Sequence, residues 1–138
     1  MKNAISRNGA GPPAILVVED FEPLRLSVIT WLRFWFPGCD VRGVASGEEA
    51  IEHARASRPD VVLMDIELPG IDGLEATSRI RVQAPETAVV MLTTHDTPQH
   101  RLAATSAGAV GYVAKHEMET RLKATVQDLL RLLGRASS

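Results

Sequence analysis

The sequence of 138 residues predicts an α/β protein in which helices cover both faces of one five-stranded parallel sheet. Three observations lead to this fold class. Short apolar segments alternate with longer amphipathic segments five times along the chain. Several of the short segments are apolar throughout, which is typical of parallel strands buried on both faces. Strict alternation also favours right-handed crossover connections, so the expected architecture is a doubly wound (βα)5 sandwich of three layers.

The amino-terminal half of the chain is expected to contain two strands and two helices. Ala14–Val18 (AILVV) is apolar throughout and is the first predicted strand. Leu24–Trp35 follows with apolar residues at helical spacing, which predicts an amphipathic helix. Val41–Ala45 has the length of a strand. The sequence SGEE, from Ser46 to Glu49, is a capping box that predicts the start of the second helix.

The rest of the chain repeats this alternation three times. Val61–Met64 and Ala88–Thr93 are uniformly apolar and predict strands, and each precedes a helical pattern. The other predicted elements are the helices Leu74–Val82, Pro98–Ala107 and Met118–Leu133 and the strand Gly111–Ala114. Gly108 is available to end the preceding helix in a left-handed conformation.

The composition narrows the classes of function. Hydrophobic residues make up 45% of the chain and charged residues 23%, which are ordinary values for one globular domain. A net charge of −2 without any basic run argues against nucleic-acid binding, which requires clustered lysine and arginine. No segment approaches the roughly 20 apolar residues of a membrane span. The single cysteine, Cys39, rules out an internal disulfide and favours a cytoplasmic location.

One domain is expected, and it occupies residues 14–133. Residues 1–13 lack the apolar core of a secretion signal and are interpreted as a flexible leader. Residues 134–138 are interpreted as a carboxy-terminal tail. Since neither an internal repeat nor a linker interrupts residues 14–133, no second domain is predicted.

Polar side chains follow four of the predicted strands. Because the carboxyl ends of parallel strands meet at one edge of the sheet, these side chains are expected to share a cleft. They are Glu19 and Asp20 after the first strand, Asp65 after the third, Thr93 and Thr94 at the fourth, and Lys115 after the fifth.

Three carboxylates in one cleft call for a cation. Two like charges about 4 Å apart repel by roughly 4 kcal/mol at an effective dielectric constant of about 20. A few carboxylates completed by water suit Mg²⁺ better than Ca²⁺, and no cluster of thiolates or histidines supports Zn²⁺. A metal, the ammonium of Lys115 and the hydroxyl of Thr93 around a carboxylate are typical of phosphoryl transfer, with Asp65 as the nucleophile.

Four segments of the chain carry a more specific pattern: ILVVEDFEPLR, PDVVLMDIELPGIDGLE, VVMLTTHD and GAVGYVAK. In this order they resemble the motifs of the response-regulator receiver domain of two-component signalling. The resemblance covers about Ala14 to Leu133, and GAVGYVAK is most similar to receivers that carry a LuxR-type output domain. The implied fold is the flavodoxin-like, CheY-like sandwich.

The resemblance implies a phosphoryl-accepting site. Asp65 would take the phosphoryl group from the phosphohistidine of a sensor histidine kinase or a phosphotransfer protein. Asp20 and Asp65 would bind Mg²⁺ with the backbone carbonyl of Glu67, and Glu19 would bind it directly or through water. Lys115 would pair with the aspartyl phosphate. The chain would then be a signalling domain that assists its own phosphorylation and dephosphorylation, and not an enzyme.

The resemblance also implies a switch. Thr93 and the backbone of Thr94 would bind the phosphoryl oxygens, Thr93 would move inward and Tyr112 would follow. Glu67 and His95 occupy positions that tune the phosphoryl lifetime. The surface of the fourth helix, fifth strand and fifth helix would contact an output partner, a missing output domain or a second copy of the chain.

Several residues depart from the family pattern. Leu68 replaces the methionine that is more common before Pro69, Thr94 stands where a smaller residue is usual, and His116 follows Lys115 where many receivers have proline. The bulk of Thr94 leaves open a pseudo-receiver that binds a partner without phosphorylation. DIELP also resembles the paired acids of haloacid-dehalogenase-type phosphatases, although those enzymes place the nucleophile on the first strand. Because a DNA-binding helix-turn-helix is absent, the chain either stands alone or was cut from a longer protein.

Some residues are not explained by these roles. Phe34 projects away from the apolar stripe of the first helix, and it is either an interface residue or a singly exposed side chain. Gly70 and Gly73 are expected to be turn glycines that serve the backbone shape. The four histidines show no metal-ligand spacing and are expected to be exposed: His53, His95, His100 and His116.

Overall fold

The computed structural model of the protein describes residues 11–135, in which five strands alternate with five α-helices. The strands are β1 (Ala14–Val18), β2 (Asp40–Val44), β3 (Val61–Asp65), β4 (Ala88–Thr93) and β5 (Gly111–Ala114). The helices are α1 (Glu22–Trp35), α2 (Gly47–Ser57), α3 (Gly73–Gln83), α4 (Pro98–Ala107) and α5 (Met118–Leu132). A 3₁₀ turn, Lys115–Glu117, joins β5 to α5. Most of the predicted leader and residues 136–138 of the predicted tail lie outside the described residues.

The sheet has the predicted parallel topology. Its strand order is β2–β1–β3–β4–β5, and every neighbouring pair is parallel. The direction in which the chain adds strands reverses between β1 and β3. In doubly wound sheets the cleft at such a switch point receives the ligand, so the carboxyl ends of β1 and β3 mark the expected site.

Two hydrophobic cores, one on each face of the sheet, hold the helices in place. Alternate residues of β1 point to opposite faces, with Ile15 and Val17 in one core and Leu16 and Val18 in the other. α1 and α5 cover the first face and α2, α3 and α4 cover the second. The predicted three-layer sandwich is therefore confirmed.

Several boundaries differ by one or two residues from the predicted ones. β2 begins one residue earlier than predicted, because Asp40 already pairs with Ala14 of β1. α1 begins at Glu22, two residues before the predicted start, and has a proline in its first turn. The buried stripe of α5 ends with Leu130, whereas Leu133, predicted to continue it, is 37% exposed because the helix ends before it.

The predicted helix caps are present. The Ser46 hydroxyl accepts a hydrogen bond from the Glu49 amide at 3.1 Å. The Glu49 carboxylate reaches back to the amide of Ala45 at 2.9 Å, one residue before the position expected for a capping box. Gly108 ends α4 with a φ of 108°, in the left-handed conformation predicted for it.

A buried ion pair at the amino-terminal edge of the sheet, opposite the strand carboxyl ends, contacts both ends of the described chain. Asp60, which is 1% exposed, accepts a hydrogen bond from the Ala14 amide at 2.8 Å and pairs with the Arg135 guanidinium at 3.2 Å. Arg135 also donates to the Gly11 carbonyl at 2.9 Å. Gly134, the first residue of the predicted tail, has a φ of 73°. Its contacts with Asp60 and Gly11 anchor Arg135, the second residue of that tail, to the domain.

The surface bears several exposed apolar side chains. Phe34 is 82% exposed, in agreement with its predicted position away from the core stripe of α1. An interface at Phe34 stays a prediction. Within residues 11–135, none of the helices combines the length and the apolar composition that a membrane crossing requires.

Candidate functional site

Two neighbouring strands deliver three carboxylates to one edge of the sheet. β3 ends at Asp65, and Glu19 and Asp20 directly follow β1. One oxygen of each carboxylate lies within 4.8 Å of the other two. Glu19 and Asp65 are 4% and 5% exposed, whereas Asp20 is exposed, so the acidic cluster reaches from the buried strand ends to solvent.

Hydrogen bonds fix the buried carboxylate of Glu19. One of its oxygens accepts from the Phe21 amide at 3.1 Å, and the other accepts from the Lys115 ammonium at 2.8 Å. The backbone carbonyl of Glu19 accepts from the Arg25 guanidinium at 2.9 Å, and its amide donates to Val44 at 3.1 Å. Glu19 is therefore a rigid part of the cluster and not a solvated loop acid.

Lys115 supplies a positive charge inside the cluster. Its ammonium lies 2.8 Å from Glu19 and 3.2 Å from Asp65, so two of the three predicted like charges already share a cation from the protein. Burial acts to lower the pKa of Lys115, but the hydrogen bond and charge of Glu19 and the charge of Asp65 outweigh burial and raise it. Lys115 is therefore charged at neutral pH.

Both oxygens of Asp65 have a hydrogen-bond partner. One accepts from the Glu67 amide at 3.2 Å and the other from Lys115. Burial and the charge of Glu19 nevertheless raise the pKa of Asp65 from 3.8 to about 6. Because the folded state then keeps this proton to a higher pH than the unfolded chain, the contribution of Asp65 to stability falls as pH rises from about 4 to about 6.

The loop after β3 is shaped by two glycines. Gly70 has a φ of 73°, which side-chain-bearing residues rarely adopt. Gly73 donates from its amide to the Ile66 carbonyl at 2.8 Å. A Cβ atom at Gly73 would lie 2.0 Å from the carbonyl oxygen of Asp65, so this glycine is required by a close contact with the backbone of Asp65.

The loop after β4 connects Thr93 to Tyr112 through one peptide segment. Thr93 is fully buried, and its hydroxyl accepts from the His95 amide at 3.0 Å. The Tyr112 phenol, on β5, donates to the carbonyl of the same His95. Thr94 is exposed. The predicted switch residues are therefore linked by hydrogen bonds to opposite sides of His95.

His95 also bridges the two loops at the mouth of the site. Its imidazole pairs with the Glu67 carboxylate, which joins the loop after β3 to the loop after β4. Its ring stacks on that of His100, with centroids 4.8 Å apart and planes 11° apart. The prediction that the four histidines are exposed is wrong for His95 and His100, which the loop before α4 folds against each other. It is also wrong for His53, which is half-buried, and it is confirmed for His116.

The acidic cluster fits a hard divalent cation. Its donors are carboxylate oxygens, and the cluster includes no imidazole or thiolate, so the donor set suits Mg²⁺ and not Zn²⁺. Asp20 leaves one side open to water, as Mg²⁺ sites require. Glu19, Asp20 and Asp65 are the residues that could hold such an ion.

Comparison with known sequences identifies one family. Residues 15–127 match the model of the response regulator receiver domain. The response regulator GacA of Pseudomonas viridiflava is 40% identical over 102 residues, covering 73% of this chain and 47% of that protein. The probable transcriptional regulatory protein TcrX of Mycobacterium tuberculosis is 33% identical over 132 residues, covering 93% of this chain and 54% of that protein. The chain thus spans about half the length of the curated relatives it matches.

Solved structures have the same fold. A LuxR-family two-component response regulator from Aurantimonas sp. SI85-9A1 is 30% identical, with a TM-score of 0.76 over 92% of this chain and 88% of that one. The BeF3-activated DrrB receiver domain is 29% identical, with a TM-score of 0.78 over 87% and 98%. A signal receiver domain of a putative Luxo repressor protein from Vibrio parahaemolyticus has a TM-score of 0.82 over 89% and 93%, and at 24% identity it shows the fold alone.

Proposed function

Because this chain belongs to the response-regulator receiver family of two-component systems, we propose that Asp65 is its phosphoryl acceptor. The observation that carries this proposal is the convergence of Glu19, Asp20 and Lys115 on Asp65 at the switch point of the sheet. Like Glu19, Asp65 accepts a hydrogen bond from a backbone amide on one oxygen and from the Lys115 ammonium on the other, and Asp65 is the last residue of its strand. That arrangement holds a nucleophilic oxygen in a fixed position.

The proposed reaction moves a phosphoryl group from nitrogen to oxygen. A carboxylate oxygen of Asp65 forms a bond to phosphorus while the phosphorus–nitrogen bond of a kinase phosphohistidine breaks. The electron pair stays on the imidazole nitrogen. Lys115, already within 3.2 Å of Asp65, would pair with the phosphoryl oxygens. When bound by Glu19, Asp20 and Asp65, Mg²⁺ supplies further positive charge for these oxygens. Later, a water oxygen forms a bond to phosphorus while the bond from phosphorus to the Asp65 oxygen breaks, which releases inorganic phosphate and restores the carboxylate.

The remaining predicted residues would line the opening of the site and transmit a change at the site to the output surface. Thr93 and the backbone of Thr94 would bind the phosphoryl oxygens, and the hydrogen bonds through His95 would carry a change at Thr93 to Tyr112. The Glu67–His95 bridge would control the access of water and so the phosphoryl lifetime. The surface formed by α4, β5 and α5 would contact an output domain, an output partner or a second copy. Kinase, receiver and output would meet in the cytoplasm.

Intact-mass measurement after incubation with acetyl phosphate tests this proposal. With Mg²⁺ we expect one added mass of about 80 Da, removed by hydroxylamine because an aspartyl phosphate is an acyl phosphate. With EDTA in place of Mg²⁺ we expect none. Absence of the added mass under both conditions would overturn phosphoryl acceptance and favour a pseudo-receiver.

Mg²⁺ affinity should depend on pH and on Asp20. Near pH 7.5 we expect Asp20→Ala to weaken binding by about tenfold or more, because one of the three carboxylate donors is lost. In the wild type, binding should weaken as pH falls below about 6, because a proton then competes for Asp65. Isothermal titration calorimetry at about pH 7.5 and pH 5 measures both effects. Asp128→Ala on α5 is the control, and an Asp20→Ala affinity equal to that of the control would exclude Asp20 as a ligand.

Loss of Lys115 should affect both stability and chemistry. In Lys115→Ala without Mg²⁺, the carboxylates of Glu19 and Asp65 lose their shared cation. We therefore expect the free energy of unfolding to fall by about 1–3 kcal/mol near pH 7.5. The loss should shrink near pH 5, where Asp65 holds a proton. Phosphorylation should be slower but detectable. Guanidinium denaturation at both pH values and the rate of mass gain measure these effects, with Lys123→Ala as the control. Equal denaturation midpoints for the two variants at both pH values would contradict the shared-cation role.

A further inference from the structure

One arginine on α4 stacks against the proposed switch tyrosine. The guanidinium carbon of Arg101 lies 4.6 Å from the centroid of the Tyr112 ring. A cation over an aromatic face at this distance is attracted to it, and arginine also adds the dispersion of a planar group. Tyr112 is half-buried, so the ring is enclosed by the protein on one side and covered by Arg101 on the other.

Arg101 is itself held in place. Its Nε donates to the Asp96 carboxylate at 2.7 Å, and its backbone amide donates to the Thr97 carbonyl at 3.0 Å. The hydrogen bond from Arg101 is the main reason that the pKa of Asp96 is lowered, so the carboxylate is charged at neutral pH. The guanidinium is therefore fixed by a charged partner in the loop that also contains His95.

These contacts form a continuous path from Thr93, at the end of β4, to α4. The Thr93 hydroxyl accepts a hydrogen bond from the amide of His95, and the carbonyl of His95 accepts one from the Tyr112 phenol. The Arg101 guanidinium in turn stacks on the Tyr112 ring. The pKa of Tyr112 is raised, first by burial and then by the charge of Asp96, whereas Arg101 and a hydrogen bond with Thr93 act to lower it. Because Arg101 is held by Asp96 and stacks on the Tyr112 ring, any movement of that ring must break or shift its contact with Arg101.

We propose that Arg101 is a positioning residue that, anchored by Asp96, holds the ring of Tyr112 and so sets how readily the switch changes state. This inference rests on the proposed function for its consequence, but the contact itself is a property of the unmodified protein. Removal of the guanidinium is expected to change the population of the observed ring position by about two- to fivefold, the range of an exposed cation–π contact.

Tyr112 is the only tyrosine of the chain, so one label reports on it alone. We would incorporate 3-fluorotyrosine and record ¹⁹F spectra of wild type, Arg101→Gln, Arg101→Lys and Asp96→Asn, each free and with Mg²⁺ and beryllofluoride. Arg79→Gln is the matched control, because Arg79 is an exposed helical arginine that pairs with Glu75 as Arg101 pairs with Asp96.

Arg101→Gln should shift or broaden the ¹⁹F line of the free protein, and Asp96→Asn should do so to a smaller extent. Arg101→Lys, which keeps the charge but not the planar stack, should fall between Arg101→Gln and the wild type. The beryllofluoride response should change in the same order, while the mass gained from acetyl phosphate stays at the wild-type level. Spectra of Arg101→Gln that coincide with those of Arg79→Gln would overturn the proposal. If the wild type gains no phosphoryl group, the proposed function fails, and the spectra of the free proteins still decide whether Arg101 holds the ring.

Discussion

Asp65→Asn is expected to abolish phosphoryl acceptance and, at the same time, to stabilise the metal-free protein. The amide offers no nucleophilic carboxylate oxygen, so no hydroxylamine-sensitive mass of about 80 Da should form with acetyl phosphate and Mg²⁺. Near pH 7.5 the substitution removes a buried carboxylate whose pKa is raised to about 6. We expect the free energy of unfolding to rise by about 1–3 kcal/mol, with a melting temperature several degrees higher.

The pH dependence separates this explanation from a general packing effect. Below about pH 4, Asp65 is protonated in both the folded and the unfolded wild type, so the advantage of the variant should disappear. Mg²⁺ should stabilise the wild type more than the variant. Asp128→Asn, an exposed carboxylate on α5, is the control for both measurements. An Asp65→Asn protein that still gains the labile phosphate, or that is less stable than wild type near pH 7.5, would contradict the assignment.

Gly73→Ala is expected to be strongly destabilising, although alanine is the better helix former. Gly73 is the first residue of α3, where helix propensity alone would favour alanine by up to about 1 kcal/mol. The new Cβ atom would lie 2.0 Å from the carbonyl oxygen of Asp65 and 2.9 Å from the Cα atom of Ile66. Both are backbone atoms and cannot rotate away, so we expect a loss of about 2–4 kcal/mol.

The same substitution should reduce phosphorylation, because relief of the clash requires the strand end that carries Asp65 to move. Gly47→Ala is the matched control: Gly47 is the first residue of α2, and its Cβ atom would meet the side chain of Ile71 at 2.9 Å. That side chain can adjust, so the control should lose less stability and keep its phosphorylation rate. Chemical denaturation and intact mass measure the two effects. Equal losses in the two variants would show that the contact with Asp65 has no special role.

The position of the acidic cluster could be predicted from the sequence because it follows from topology. Uniformly apolar runs identify parallel strands, and parallel strands place their carboxyl ends at one edge of the sheet. Asp65 at the end of β3 and Glu19 and Asp20 after β1 therefore had to meet, whatever their side-chain conformations. The capping box at Ser46 and the left-handed Gly108 could be predicted for a related reason, since each depends on a few adjacent residues.

The pairing of individual side chains could not be predicted in this way. The sequence places Asp60 in a loop before β3 and Arg135 in a tail. The two residues are 75 positions apart, yet they form a buried ion pair. The stacking of His95 on His100 and of Arg101 on Tyr112 likewise depends on rotamers and on the path of the loop after β4. No residue pattern encodes such contacts, because many partners are equally compatible with the same periodicity.

Gly73 shows a different limit. The sequence DGLE is compatible with an ordinary capped helix start, and Asp72 does accept from the Glu75 amide at 2.9 Å. The requirement for glycine comes instead from the approach of two backbone segments, which is decided by the packing of α3 on the sheet. A turn glycine and a contact glycine have the same letter, and only the fold distinguishes them.

The ion pair between Asp60 and Arg135 couples the local opening of the two ends of the described chain. The Asp60 carboxylate holds the start of β1 through Ala14 and the segment after α5 through Arg135. Opening the segment after α5 alone would leave the buried Asp60 carboxylate without its ionic partner, and opening the start of β1 alone would remove its backbone amide donor, so both are unfavourable. Terminal segments commonly open at almost no cost, but here local opening becomes a cooperative event that involves the first strand and the last helix. Amide hydrogens at these two ends should therefore exchange with solvent at similar, slow rates.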